Sequence, residues 1–202
     1  MRAQMPAINY NARVQWLEGR ASNTYTQFGE DGLIAACLEK IGETNRQSFE
    51  IGAADGRFFS NTLRLREQGW RAVLIESDRD KYDALQRDFG TNQVCLHETC
   101  TDLDATLIPT AIHHAPDLGV IDVDGQDYWL WHDLRKIRPR IMLVEIYPPD
   151  PNREPPKRGA GPDQQAGLFA IRNLGESKGY TLVATTHCNA LFVETSELKT
   201  NV

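Results

Sequence analysis

The stretch Phe49-Glu50-Ile51-Gly52-Ala53-Ala54-Asp55-Gly56 has the pattern of a short buried strand followed at once by a turn of small residues. Small residues allow the backbone to turn sharply and to approach a ligand closely. A turn that cradles a dinucleotide phosphate would read G-x-G-x-x-G, but Ala54 and Arg57 stand at its second and third glycines. The spacing is instead E-x-G-x-G-x-G with alanine at the middle glycine. The carboxylates of Glu50 and Asp55 suit a cationic ligand better than a phosphate.

A further acidic residue, Glu76, ends the next apolar run, residues 71–75. In nucleotide-binding α/β domains, an acidic side chain about 20 residues after the turn binds the ribose hydroxyls. The turn and Glu76 together therefore predict a site for a ligand that has a ribose and a positive charge. An ordinary strand-to-helix turn with an exposed glutamate is the alternative.

Strand-like and helix-like segments alternate along the chain, which predicts an α/β domain with a mostly parallel seven-stranded sheet and helices on both faces. The predicted strands are 47–51, 71–75, 94–97, 118–123, 141–146, 180–186 and 190–194, and the predicted helices are 58–68, 80–89, 128–137 and 164–177. Only residues 187–189 join the last two strands, and so short a connection forces an antiparallel hairpin. Residues 148–162 are dense in proline and glycine and are expected to form a loop.

The composition narrows the class of protein. The 202 residues carry a net charge of -6 and are 41% hydrophobic, which is typical of a globular protein and argues against a nucleic-acid partner. No apolar run approaches the roughly 20 residues of a membrane span, so no membrane partner is expected. The four cysteines form no CxxC pair. We therefore expect a cytoplasmic protein with reduced thiols.

Five stretches together carry a resemblance to a known family: TQFGEDG at 26–32, EIGAADG at 50–56 with Ser60-Asn61-Thr62, VLIES at 73–77, IDVDGQDYW at 121–129 and TTHCNALFV at 185–193. The chain resembles class I S-adenosylmethionine-dependent methyltransferases, of the FkbM type or an uncharacterised relative. The resemblance implies a Rossmann-like methyltransferase fold over residues 26–202, with S-adenosylmethionine as cofactor. It also implies O-methylation of a small molecule or a sugar-containing natural product. N-methylation and non-catalytic binding of the cofactor are the alternatives.

The resemblance also implies which residues contact the cofactor. They are Gln27, Gly52, Ala53, Asp55, Gly56, Asn61 and Glu76, with Thr101 and Asp102 holding the adenine after the third strand. Glu50 and Asp122 are added on chemical grounds, because carboxylates favour the sulfonium and the amino group of this cofactor.

Acidic residues also end the two strands that follow. Asp122, Asp124 and Asp127 come at the end of the fourth strand, and Glu145 ends the fifth. Ligands of open α/β sheets lie beyond the carboxyl ends of the strands, so we expect these carboxylates beside the transferred methyl group. Asp122, Asp124 and Glu145 are therefore catalytic candidates.

A hydroxyl acceptor must lose its proton as it attacks, which requires a base. His132 and His187 are the two candidates, and we expect one of them to act with help from Asp124. The alternative is Mg²⁺ held by the carboxylates, which would acidify a bound hydroxyl.

The chain is short for an enzyme that encloses a small-molecule acceptor. We expect the acceptor pocket to be completed by residues 1–25, by the loop at 148–162, or by a second subunit of a homo-oligomer.

Overall fold

A computed structural model describes residues 12–161 and 164–199 of the chain. It contains seven strands: β1 Gln47–Ile51, β2 Arg71–Glu76, β3 Val94–His97, β4 Leu118–Ile121, β5 Ile141–Glu145, β6 Tyr180–Thr185 and β7 Asn189–Glu194. They form one sheet in the order β3-β2-β1-β4-β5-β7-β6. The first five strands are parallel, and β7 is antiparallel to both β5 and β6. The predicted fold class, with its C-terminal antiparallel hairpin, is confirmed.

The described residues form six α-helices, of which α1 precedes β1 and the other five connect successive strands: α1 Glu30–Ile41, α2 Leu63–Glu67, α3 Arg79–Phe89, α4 Leu103–Leu107, α5 Asp127–Asp133 and α6 Leu168–Ser177. Short 3-10 helices cover Ala12–Leu17, Ile108–Thr110 and Glu197–Lys199. The predicted helices do not include α1 or α4. Helix α1 begins with Glu30, Asp31 and Gly32, all three of which are buried, so its sequence does not show the polar face expected of a surface helix.

The helices cover both faces of the sheet because alternate residues of a strand point to opposite sides. On one face, Leu118 and Val120 of β4 belong to a core cluster with Leu33 of α1. On the other face, Ile121 belongs to a cluster with Trp131 of α5 and with residues of α6. The prediction of helices on both faces is confirmed.

Three helices are shorter than predicted. The helix predicted at 58–68 begins only at Leu63, because Phe59 has a left-handed backbone conformation with φ 54°. The helix predicted at 128–137 ends at Asp133, since the next residue is extended and the N–H groups of residues 135–137 donate to the Asp104 carboxylate. The helix predicted at 164–177 begins at Leu168.

The hairpin turn lies one residue earlier than predicted. Asn189 begins β7, so the turn consists of residues 186–188 and contains Cys188. Residues 1–11 of the predicted N-terminal cover, and Pro162 of the predicted loop, lie outside the described residues. Within the described ranges, none of the helices is both long and apolar enough to cross a membrane.

Candidate functional site

A cavity of about 790 Å³ opens at the carboxyl ends of the parallel strands. The loops that follow β1 to β5 line it, together with the hairpin turn and residues 27–28. The sheet order reverses direction between β1 and β4, the position where ligands bind in open α/β sheets. Ten of the site residues predicted from the sequence line this cavity: Gln27, Glu50, Gly52, Ala53, Asn61, Glu76, Asp122, Asp124, Glu145 and His187.

The small-residue turn brings the ends of three strands together. The N–H groups of Gly52 and Ala53 both donate to the carbonyl oxygen of Ile75 on β2. Gly52 has φ +83°, and a Cβ there would lie 1.8 Å from the carbonyl oxygen of Asp122, so no other residue fits between β1 and β4. The turn therefore depends on glycine for close approach of backbone to backbone.

Glu76 holds this turn against the end of β2. Its carboxylate is 6% exposed and accepts hydrogen bonds from the N–H groups of Ala54, at 2.8 Å, and Asp78, at 2.7 Å. Each oxygen keeps a further lone pair, so the same carboxylate can accept hydrogen bonds from ribose hydroxyls. Ala54 is held in a left-handed conformation, φ 47°, that places its N–H on Glu76.

Glu50 organises the loop between β1 and α2. Its buried carboxylate accepts hydrogen bonds from the Ser60 hydroxyl at 2.8 Å, the Asn61 N–H at 2.7 Å and the Thr62 hydroxyl at 2.5 Å. The side-chain oxygen of Asn61 is buried and has no hydrogen-bond partner among the described residues. A buried acceptor without a partner is costly, which marks Asn61 as a residue available to a ligand.

The carboxylates of Asp122, Asp124 and Glu145 line the cavity where β4 and β5 end. Burial, reinforced by the neighbouring carboxylates of Asp127 and Asp124, raises the pKa of Asp122 to about 8. Burial and the Asp122 carboxylate raise the pKa of Glu145 to about 9. Glu145 accepts hydrogen bonds from the Asp124 N–H at 3.2 Å and from the Gln165 amide at 3.3 Å. This end of the sheet therefore holds carboxyl groups that retain protons near neutral pH.

Asp127 has a structural role beside them. It is fully buried, lies outside the cavity lining, and accepts hydrogen bonds from the N–H groups of Val123 and Gly125 at 2.8 and 2.9 Å. These bonds shape the turn that presents Asp124, whose backbone is left-handed with φ 58°.

No set of three or more His, Cys, Asp or Glu side chains in residues 12–161 and 164–199 is arranged to hold a metal ion. The magnesium alternative therefore stays a prediction without structural support.

His132 is placed away from the cavity, contrary to expectation. Leu130 of α5 faces the cavity, and a residue two positions further along a helix points roughly 200° away. The His132 ring packs edge-on against Trp129 at 5.4 Å, and its Nδ1 lies 2.7 Å from the carboxylate of Asp133. The choice of His132 as a base is therefore corrected, and His187 remains the histidine at the site.

Four predicted cofactor contacts also lie outside the cavity lining: Asp55, Gly56, Thr101 and Asp102. Asp55 closes its own turn by accepting the N–H groups of residues 57 and 58, and a Cβ at Gly56 would clash with side chains of α3. Asp102 accepts the N–H of Ala105 and begins α4. Residues 98–100 border the cavity instead, because the loop turns inward directly after β3.

Three phenylalanines at the cavity are absent from the sequence-based list. Phe28, Phe58 and Phe59 line the cavity and are 39%, 66% and 42% exposed. The Phe28 ring lies 4.9 Å from the His187 ring, and the rings of Phe58 and Phe59 lie 4.0 Å apart. The adjacent pair Phe58-Phe59, directly after the small-residue turn, is the sequence signal that could have identified them.

The loop at residues 148–161 is anchored to α5. The Trp129 indole N–H donates to the carbonyl oxygen of Pro156 at 2.7 Å, and the Arg158 guanidinium lies 4.1 Å from the centre of the Trp129 ring. Trp129 therefore fixes the loop and does not line the cavity, whereas Pro148 does.

The chain is similar to solved structures of one class. No protein-family model and no curated protein matches it. A provisionally named O-methyltransferase from Klebsiella pneumoniae matches with TM-score 0.50 and 13% identity over 93% of this chain and 92% of that one. A TehB-like methyltransferase from Corynebacterium glutamicum matches with TM-score 0.50 and 12% identity over 80% and 86%.

A third match, the CurJ carbon methyltransferase, has TM-score 0.51 and 9% identity over 82% of this chain, which spans only 52% of that longer one. Identities this low show the fold alone. The fold is that of class I S-adenosylmethionine-dependent methyltransferases, and the FkbM-type subfamily stays a prediction.

Proposed function

We propose that this chain is an S-adenosylmethionine-dependent methyltransferase with a small-molecule acceptor. The proposal rests on the acidic lining of the cavity. Seven carboxylates line it against the single lysine Lys81: Glu50, Glu76, Asp78, Glu98, Asp122, Asp124 and Glu145. Such a lining attracts a cationic sulfonium ligand and repels the pyrophosphate of a dinucleotide.

The residues present fit this cofactor. Glu76 would hold the ribose hydroxyls, residues 52–54 would contact it through their backbone, and residues 98–100 would border the adenine. The unpaired side-chain oxygen of Asn61 would accept a hydrogen bond from the amino group. When bound, the cofactor supplies an electrophilic methyl group on its sulfonium sulfur.

Asp122 and Glu145 are the groups that would accept the proton of the acceptor. Their pKa values are raised above neutrality in the ligand-free chain, and the positive charge of the bound cofactor would lower them towards the range that suits a general base near neutral pH. We propose O-methylation first, with Asp122 and Glu145 in the place of His132, which lies outside the cavity lining, and with His187 in that lining. N-methylation is the second candidate, because the same carboxylates attract an ammonium group and can take its proton.

Calorimetric titration with S-adenosylhomocysteine and, separately, with NAD tests the cofactor. S-adenosylhomocysteine is expected to bind and to raise the melting temperature, since a ligand of the native state stabilises it. Glu176→Gln alters an exposed acid on α6 outside the cavity lining and is expected to bind both ligands as the unchanged chain does. Tighter binding of NAD, or no binding of S-adenosylhomocysteine, would contradict the proposal.

A further inference from the structure

We infer that the acceptor is an amine that carries a flat apolar ring, bound between the carboxylates of Asp124 and Glu145 and the rings of Phe28, Phe58 and Phe59. This inference rests on the proposed function and adds the chemical class of the substrate to it.

Exposed apolar side chains are concentrated at the cavity. Only five large hydrophobic side chains among the described residues are exposed: Phe28, Phe58, Phe59, Ile108 and Phe169. Three of the five, all phenylalanines, line the cavity at the carboxyl ends of the strands. Exposed apolar side chains grouped in this way mark a binding surface, and aromatic rings favour flat apolar ligands.

The backbone is strained at several residues that line the cavity. Phe59 has φ 54°, a conformation that costs a non-glycine residue of order 1–3 kcal/mol. Ala54 and Asp124, which also line the cavity, have positive φ as well. The strain at Ala54 is explained by its hydrogen bond to Glu76, whereas the only described ring contact of Phe59 is with the exposed Phe58. A strained phenylalanine that presents its ring to a cavity is explained by a ligand for that ring.

The side of the cavity formed by the loops after β4 and β5 is acidic. Residues 52–54, Glu76 and residues 98–100 follow β1, β2 and β3, whereas Asp124 and Glu145 follow β4 and β5. Phe28 contacts His187 in the hairpin turn, on the side of β7. The side of the cavity after β4 and β5 therefore offers carboxylates and the Phe28 ring beside His187, with no lysine or arginine among its described residues, while Phe58 and Phe59 line the cavity from the loop after β1. An ammonium group bound beside these carboxyl groups favours their ionised form and is attracted by it, whereas an anionic acceptor is repelled.

The volume of the cavity allows an acceptor beside the cofactor. Sites for single drug-sized ligands span roughly 300–1,000 Å³. A cavity of about 790 Å³ lies in the upper part of this range, which leaves space for a small acceptor beside the cofactor.

Four probes test the inference by binding to the protein saturated with S-adenosylhomocysteine. Tyramine has both the ring and the ammonium group, p-cresol has the ring alone, ethanolamine has the ammonium group alone, and 4-hydroxyphenylacetate has the ring with a carboxylate. Tyramine is expected to bind roughly tenfold more tightly than p-cresol or ethanolamine, and 4-hydroxyphenylacetate is expected to bind most weakly.

Variants assign the preference to residues. Phe28→Ala and Phe59→Gly are expected to weaken tyramine binding by roughly 2- to 10-fold, and Glu145→Gln is expected to reduce the preference for tyramine over p-cresol. Phe169→Ala is the matched control, because Phe169 is 39% exposed, as Phe28 is, but lies outside the cavity lining. Phe59→Gly removes the left-handed strain, and a thermal melt of each variant checks that weaker binding is not a result of unfolding.

The outcomes separate the two proposals. A chain that does not bind S-adenosylhomocysteine overturns both. Binding of S-adenosylhomocysteine together with equal or tighter binding of 4-hydroxyphenylacetate, no measurable binding of tyramine at millimolar concentration, or equal effects of Phe28→Ala and Phe169→Ala overturns the acceptor class alone.

Discussion

The two ends of strand β4 carry one aspartate each, and their surroundings are opposite. Asp117, before the strand, is fully buried and accepts hydrogen bonds from the N–H groups of residues 44–46, the Thr44 hydroxyl and the Arg140 guanidinium. Asp122, after the strand, lines the cavity, and no described residue donates a hydrogen bond to its carboxylate.

The same physical effect acts on both carboxylates with opposite outcomes. Burial raises the pKa of each. At Asp117 the hydrogen bonds from Thr44, Arg140 and the backbone outweigh burial, and the pKa is lowered. At Asp122 the neighbouring carboxylates add to burial, and the pKa is raised. One end of the strand therefore stabilises the fold, while the other keeps an unsatisfied acid available for a ligand.

The largest expected effect is loss of stability at the amino end of β4. Asp117→Asn removes one of the two carboxylates that pair with the buried Arg140, the other being Glu197, and weakens the acceptor of the N–H groups of residues 44–46; breaking a buried pair costs up to roughly 3–5 kcal/mol. At about 2–4 °C for each 1 kcal/mol, a large fall in melting temperature is expected. Asp122→Asn, the same chemical change at the other end, is the control and is expected to cause no such fall. Equal losses in the two variants would remove the distinction between the ends.

The next effect concerns ligand binding at the carboxyl end. Glu76→Gln keeps one acceptor oxygen, for either the Ala54 or the Asp78 N–H group, and removes the negative charge that would bind the ribose. The affinity for S-adenosylhomocysteine is expected to fall by about 1.5–3 kcal/mol, the range for hydrogen bonds to a charged group. Calorimetry measures the affinity and a thermal melt checks the fold. An intact fold with unchanged affinity would show that Glu76 serves the turn alone.

Much of the fold could be predicted from the sequence, because strand periodicity and a short hairpin connection are local properties. The helix end that was predicted wrongly depends on hydrogen bonds between residues that are distant in the sequence. The helix predicted to reach residue 137 ends early because Asp104 accepts three N–H groups beyond it, which no local pattern reveals.

The site could be predicted only in part for a related reason. Carboxylates at strand ends follow from topology, so Glu76, Asp122 and Glu145 were placed correctly at the cavity. The direction in which a side chain leaves a short helix depends on where the helix starts, and this start places His132 outside the cavity lining. The phenylalanines were missed because an exposed apolar residue in a loop has no periodic pattern.

A smaller effect is expected on the pH dependence of stability. Asp122 and Glu145 have raised pKa values in the folded chain, so their contribution to stability is present below their ordinary pKa values and is lost as pH rises towards about 8 and 9. Asp122→Asn and Glu145→Gln should therefore make the ligand-free protein more stable at alkaline pH. We expect a gain of about 1 kcal/mol, or about 2–4 °C in melting temperature, that shrinks as pH falls. A loss of stability across the whole pH range would show that these carboxylates are structural, like Asp117.

The smallest expected effect is at His132. His132→Ala alters the outer side of α5, so methyl transfer to an acceptor should change by less than about twofold, whereas removal of a general base costs roughly 10²–10⁴ in rate. His187→Ala is the matched comparison at the cavity. A loss of 10² or more in His132→Ala alone, by the scale of general-base catalysis, would restore the original assignment.

The carboxyl ends of β4 and β5 hold two acids with raised pKa values, Asp122 and Glu145, which should respond to a cationic cofactor. Titration calorimetry in buffers of different ionisation enthalpy measures the protons released on binding. S-adenosylmethionine differs from S-adenosylhomocysteine by the charged sulfonium, and a cation close to Asp122 and Glu145 lowers their pKa values and displaces protons. At slightly alkaline pH, S-adenosylmethionine should release more protons than S-adenosylhomocysteine, and Asp122→Asn should reduce the difference. Equal proton release by the two ligands, or failure of both to bind, would contradict the account.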